Sequence, residues 1–208
     1  MAQSSGTPLF FISQDDAPSK QEILKAALSL FVRDGLCETS IRDIAERSGY
    51  SNPVLYKFFA SKDDLALHLF VACYRQLYVR IDGAIQAQPT FDLKLEAMIG
   101  AFSQMSDENN DAILYVNDHL RTFWPKLSAV QRKQSFVGLV RGLISAGVSE
   151  SRVPAWPDLA VPVAIVLGSL TQIARFRYFG EIDSKSAATA WPVLCTSLRA
   201  ALARQARG

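Results

Sequence analysis

From Ser19 onward apolar residues return every three or four positions: Ile23, Ala27 and Phe31 fall on one line, and Leu24, Leu28 and Leu30 widen it into a stripe. That period is helical, and Gly35 stops the helix near Asp34. Three S-x-x-acid matches mark helix starts: Ser19 with Glu22, Ser40 with Asp43, and Ser61 with Asp64. In each, the hydroxyl caps an orphan N–H while the acid bonds back or favours the helix dipole. Between the second and third, Ile41, Ile44 and Ala45 make a short apolar face that ends at Ser48-Gly49, where glycine enters the left-handed region at little cost. Ser51 then caps a second short helix with Pro53 in its first turn, and Leu55 and Phe59, four apart, give it a buried side. Two short helices joined by a tight glycine turn, behind a longer supporting helix, make a helix-turn-helix.

Beyond Lys62 the chain stays helical in character. Breaks are expected near Pro89-Thr90, Asp107 to Asn110, Trp124-Pro125, Gly147 to Pro157 and Asp183-Ser184, and no strand-like alternation or internal repeat is evident. The fold class is therefore all-α. An N-terminal three-helix domain over residues 19–62 precedes a helical domain over 63–208, behind a tail, residues 1–18, that lacks helical periodicity. That tail reads as mobile, or as an arm docking Phe10 and Phe11 on its own or a partner subunit. Pro162 and Pro192 should kink or delay the late helices.

Composition narrows the class. With 49% hydrophobic and 20% charged residues in 208, the chain has the balance of a packed globule. A net charge of +2 excludes a polybasic scaffold or acidic tail. Cys37, Cys73 and Cys195 lack CxxC spacing, which suggests reduced thiols and a cytoplasmic protein. The longest uncharged stretch, Leu159 to Ala174, is shorter than the roughly 20 residues that span a bilayer, so no membrane segment is expected.

The second helix of a helix-turn-helix enters the major groove by its N-terminal residues. With Leu55 and Phe59 turned inward, Asn52, Pro53 or Val54, and Lys57 are left outside. Asn pairs bidentately with adenine, Val54 or Pro53 touches a thymine methyl, and Lys57 reaches guanine or a phosphate. From Ala17 to Lys62 seven basic residues face five acidic ones, so binding to random DNA is weak and specificity rests on a few placed contacts. One module buries only about 600 to 1,000 Å². A dimer is therefore expected, its reading helices about 34 to 36 Å apart on a pseudo-palindromic site.

The run S-x-x-x-I-A-x-x-x-G-x-S-x-P-x-L-Y-x-x-F-x-x-K resembles the DNA-binding module of the TetR family of bacterial transcriptional regulators, over about Ser19 to Leu67. The resemblance implies that Ser40 and Tyr56 bind phosphate, that Arg42 reaches a base or phosphate, that Lys62 grips the backbone, and that Asn52, Pro53, Val54 and Lys57 form the base-reading stretch, with Ser51 also among the DNA-binding residues. Phe58 stands where the family commonly has His, a departure that turns this position towards packing. The same resemblance makes the last two helices, Asp158 to Glu181 and Ser184 to Ala206, a homodimer interface; their small and apolar residues permit close approach. It also places Tyr74, Tyr78, Phe102, Met105, Tyr115, Phe123, Trp124, Phe136, Leu143 and Phe176 around an effector cavity, with Asn117, His119, Arg121 and Gln172 as polar anchors.

Catalytic and cofactor chemistry finds little support. His68 and His119 lie far apart without HExxH or neighbouring Cys, so no metal site is expected. No phosphate-cradling glycine motif and no GxSxG are present, and adjacent Asp118 and His119 point about 100° apart on a helix. The expectation is a non-enzymatic regulator without cofactor, a repressor by family habit, that binds double-stranded operator DNA and releases it when a small apolar or aromatic molecule enters the larger domain. The alternative is a helical-bundle carrier or enzyme with an idle helix-turn-helix.

Overall fold

A computed structural model describes residues 9–203. The regular elements among them are all helical: α1 (Pro18–Arg33), α2 (Ile41–Ser48), α3 (Asn52–Phe58), α4 (Lys62–Gln86), α5 (Phe91–Phe123), a 3-10 turn (Trp124–Lys126), α6 (Ala129–Lys133), α7 (Phe136–Ser149), α8 (Ala160–Tyr178) and α9 (Ser184–Ala203). They form two compact units, residues up to 76 with 108–127, and residues 77–107 with 128 onward. α4 and α5 each begin in one unit and finish in the other.

In the first unit α1 starts at Pro18, which fills the first turn where a missing N–H costs nothing. Ser19 is thus inside the helix, and the expected capping box with Glu22 does not form; Glu22 instead pairs with Lys25 at 2.7 Å. The start is held from upstream, where Lys20 Nζ donates to the Asp16 carboxylate and Gln21 Nε2 to the Asp16 carbonyl. Residues 9–17 are correspondingly more than a tail: a turn from Leu9 to Ile12 buries Phe10 and Phe11 edge to face. The part of the expected tail before residue 9 lies outside the described residues.

The core of this unit comes from the inward lines of each helix: Ile23, Ala27 and Phe31 from α1, Ile44 from α2, Leu55 from α3, and Leu65, Leu69 and Phe70 from α4, all essentially without solvent contact. Tyr115 from the end of α5 stacks on Phe31 at 5.8 Å and donates its hydroxyl to the Ala66 carbonyl at 2.9 Å. The break expected at Asp107 to Asn110 narrows to one residue: Asn109 leaves the helix (φ −164°, ψ 93°), and its Oδ1 accepts from the Ala112 N–H to start the next stretch.

In the second unit α8 packs against both α7 and α9. The first turn of α5 is fixed by the end of α7. Both carboxylate oxygens of Glu150 accept from the Phe91 N–H, at 2.8 and 3.0 Å, and the Phe91 ring lies over buried Gly147. A Cβ there would meet that ring at 2.7 Å and Val153 at 2.8 Å. Pro162 falls in the first turn of α8 and merely delays its start, whereas α9 runs through Pro192. The sequence reading missed the capping box of Ser128 and Gln131 at α6, because it searched only for acids.

Two consequences can be measured. Gly147→Ala should lower unfolding free energy by about 1 to 3 kcal/mol in urea, through overpacking on Phe91, whereas Gly100→Ala, with open space around it, should raise it by about 0.5 to 1 kcal/mol. His119 sits 4.7 Å from the Tyr115 ring and 6.0 Å from Phe123, and burial holds its pKa below the ordinary 6.5. Because the unfolded chain then binds the proton more readily, stability should fall as pH drops from 7 through 6.5. Denaturation midpoints of His119→Gln should decline less over that window.

Candidate nucleic-acid interface

The helix-turn-helix owes its angle to local bonds. Ser40 closes a full capping box on α2: its backbone N–H and its hydroxyl both donate to Asp43 Oδ2 at 2.7 Å, and its Oγ accepts from the Asp43 N–H at 3.2 Å. Those bonds from Ser40 hold the Asp43 carboxyl below its usual pKa. The Ser40 hydroxyl proton points to Asp43 in this structure, and donating it to a phosphate would break that one bond while the two backbone bonds of the box stay in place.

At the other end of α2, Gly49 is left-handed (φ 76°, ψ 17°), and its N–H reaches back to the Ala45 and Glu46 carbonyls. A β-carbon there would strain the backbone by roughly 1 to 2 kcal/mol, which is the physical reason glycine makes this turn. Two residues later Ser51 precedes α3 in extended conformation. Its hydroxyl makes no cap bond, contrary to expectation; Pro53 at the second helical position removes one of the donors it would have served.

Leu55 and Phe59 point inward. Asn52, Pro53, Tyr56 and Lys57 are exposed, Tyr56 by 55%, and Val54 is half-buried. The structure thus brings the expected base-reading residues onto one short solvent-facing helix, with Arg42 exposed on α2. Arg47, in the last turn of α2, is a further exposed cation that the sequence reading passed over; the inward turn of Ile44 and Ala45 was the signal for it. Phe58 is half-buried with its ring 6.4 Å from Phe59.

Lys62 behaves otherwise. Its ammonium donates to the carbonyls of Leu36 at 2.8 Å, Cys37 at 3.3 Å and Thr39 at 2.8 Å. An ammonium has three donors, so all are used inside the protein. Lys62, expected to grip the DNA backbone, here ties the first residue of α4 to the loop before α2.

The expected effector residues are divided. Tyr74, Tyr115, His119, Phe123 and Trp124 belong to the first unit, with Phe70 against Tyr74 and Phe123 and Trp124 against Tyr74, as packed core. In the second unit Phe102 and Met105 are buried, Phe102 against Trp191 at 5.6 Å, while Gln172 and Phe176 are exposed on α8. Tyr78 and Leu143 line a cavity of about 520 Å³ between the last turns of α4 and the Gly138–Ala146 stretch of α7, with the Phe136 ring 5.7 Å from Tyr78. Asn117 and Arg121 do not line it.

On α8 and α9 an exposed face carries no charge: Val161, Ala164, Gly168, Gln172, Phe176 and Phe179 on one, Val193, Thr196, Ser197 and Ala200 on the other. Phe179 is 71% and Val193 64% exposed. Meanwhile Arg177 turns to Ser106 and Asp107, and Arg199 to Asp92 and Glu96. Among the described residues no group of His, Cys, Asp and Glu is placed to hold a metal, and no helix is long and apolar enough to cross a membrane.

Residues 23–69 match the family model described as bacterial regulatory proteins, tetR family. The fatty acid metabolism regulator protein of Bacillus subtilis (strain 168) is 20% identical over 159 residues, 74% of this chain and 81% of that one. Among solved structures, the ketosteroid transcriptional regulator KstR2 of Mycobacterium tuberculosis superposes with a TM-score of 0.78 at 16% identity, over 93% of this chain and all of its own. The regulator FadR from Bacillus subtilis in complex with stearoyl-CoA gives 0.64 at 16% identity, over 88% and 96%. At these identities the structural likeness carries the fold.

The roles of two lysines separate experimentally. Lys57→Ala should weaken binding to duplex DNA and reduce the slope of log K against log salt by about one, leaving thermal stability unchanged. Lys62→Met should instead lower stability by about 1 to 3 kcal/mol, since the part-buried Leu36 and Thr39 carbonyls lose a charged donor.

Proposed function

We propose, from the match of residues 23–69 to the tetR family model, that this chain is a TetR-type, ligand-responsive DNA-binding regulator, acting as a repressor that leaves its operator when a small apolar molecule binds the second unit. The observation that carries the reading is the exposed row Asn52, Pro53, Tyr56 and Lys57 behind a glycine turn, held on an inward Leu55 and Phe59.

Asn52 offers a bidentate partner for adenine and Pro53 an apolar surface for a thymine methyl. Tyr56 and Lys57 suit phosphates, which position the helix without reading sequence. Two copies are needed to reach useful affinity, and the uncharged faces of α8 and α9 supply a surface of suitable composition, since obligate interfaces resemble a core cut in half. For the effector, the similarity to a fatty acid regulator and to FadR, solved with stearoyl-CoA, supports a molecule with an apolar body, and the cavity lined by Tyr78 and Leu143 falls in the 300 to 1,000 Å³ range of small-molecule sites.

Selection from a random duplex library should return a pseudo-palindrome whose half-sites lie about 34 to 36 Å apart. An effector that releases this operator must itself bind about 5 to 150-fold more weakly when operator is present, because the coupling is reciprocal. Calorimetric titration with and without the selected duplex measures it, and equal affinities would refute induction.

A further inference from the structure

The cavity between the end of α4 and the body of α7 has a chemical character that its aromatic edge does not reveal. α7 presents Gly138, Gly142 and Ala146, four residues apart, and it is the missing side chains at these positions that open the space. Beside Gly142 a Cβ would meet nothing within 4 Å. The floor is apolar, from Ile85 and Leu143, both buried. The rim is rich in donors. Lys94 from α5 and Lys133 from α6 both line the cavity, Lys94 half-buried, and neither has a carboxylate partner among the described residues. Ser135 uses its Oγ to accept from the Gly138 N–H, which leaves its proton free to donate. Burial and, after it, the charge of Asp82 push the Tyr78 phenol above its ordinary pKa, so it too is a donor at neutral pH. Asp82 is the one acid in the lining, and its carboxylate already accepts from Gln86 at 3.1 Å.

The ammonium groups of half-buried Lys94 and exposed Lys133 stand at the rim of an apolar floor, and a single ligand with a charged end and an apolar body complements both. We propose that this groove binds an amphipathic anion, a carboxylate or phosphate held by Lys94 and Lys133 with its apolar body along Gly138, Gly142 and Ala146. The three glycine and alanine positions span only about 12 Å of helix, so the groove suits a medium-length chain. The inference rests on the ligand-responsive reading above and names the chemistry of the effector: charged at one end, where the sequence suggested only an apolar or aromatic molecule.

Isothermal titration of the full chain with decanoate, decanoyl-CoA, coenzyme A and decanol tests it. Decanoate or decanoyl-CoA should bind, decanol at least tenfold more weakly; decanoate alone points to a free carboxylate, and decanoyl-CoA alone to a phosphate-bearing carrier. The variant K94A/K133A should lose at least tenfold in affinity for the anion that binds. Gly142→Leu, which replaces an exposed helical glycine and should raise the melting midpoint, should abolish binding by filling the groove. Operator binding by both variants without ligand should equal that of the parent. The proposal is overturned if neither anion binds, if decanol binds as well as decanoate, or if both variants retain the parent's affinity. A compound that releases operator from parent and variants alike would overturn the groove while sparing the regulator reading, whereas failure of any duplex to be selected would sink that reading and leave the titrations to judge the groove.

Discussion

One ammonium group organises the reading head. Lys62 Nζ gathers the carbonyls of Leu36, Cys37 and Thr39, the segment in which the chain leaves α1 and has not yet entered α2. Those carbonyls have no helix of their own to bond, and water would otherwise serve them. By drawing them to the first residue of α4, a single charge fixes the start of α2, from which Ser40 and Asp43 close their box and Gly49 makes the turn to α3. The outward row on α3 is therefore set by bonds that do not themselves touch the solvent-facing side chains, and a charge conventionally reserved for a partner is here part of the scaffold.

Much of the first unit was legible because local chemistry and burial agree there. The line of Ile23, Ala27 and Phe31, the left-handed Gly49 and the inward Leu55 each follow from near neighbours. The readings that failed did so where a local pattern had a stronger competitor. Ser19 lost its capping role to Pro18 one residue earlier, and Ser51 lost its own beside Pro53. Phe10 and Phe11 lie in a segment without period, yet they are buried, which no periodicity argument detects.

The second unit was less legible for a different reason. Aromatic residues fill cores and line cavities alike, so their spacing could not separate Tyr115, which stacks on Phe31 and bonds the Ala66 carbonyl, from Tyr78, which borders open space. What distinguishes a cavity is absence: Gly138, Gly142 and Ala146 recur at helical period but carry no side chain long enough to fill it. Long-range bonds such as Glu150 to the Phe91 N–H are equally silent in the sequence, since they join residues 59 apart.

The sparse positive charge of the helix-turn-helix has a kinetic side. A protein held to unrelated duplex by only a handful of counterion-releasing contacts spends little time there, so a module with this balance of charge favours brief visits over long excursions along one track.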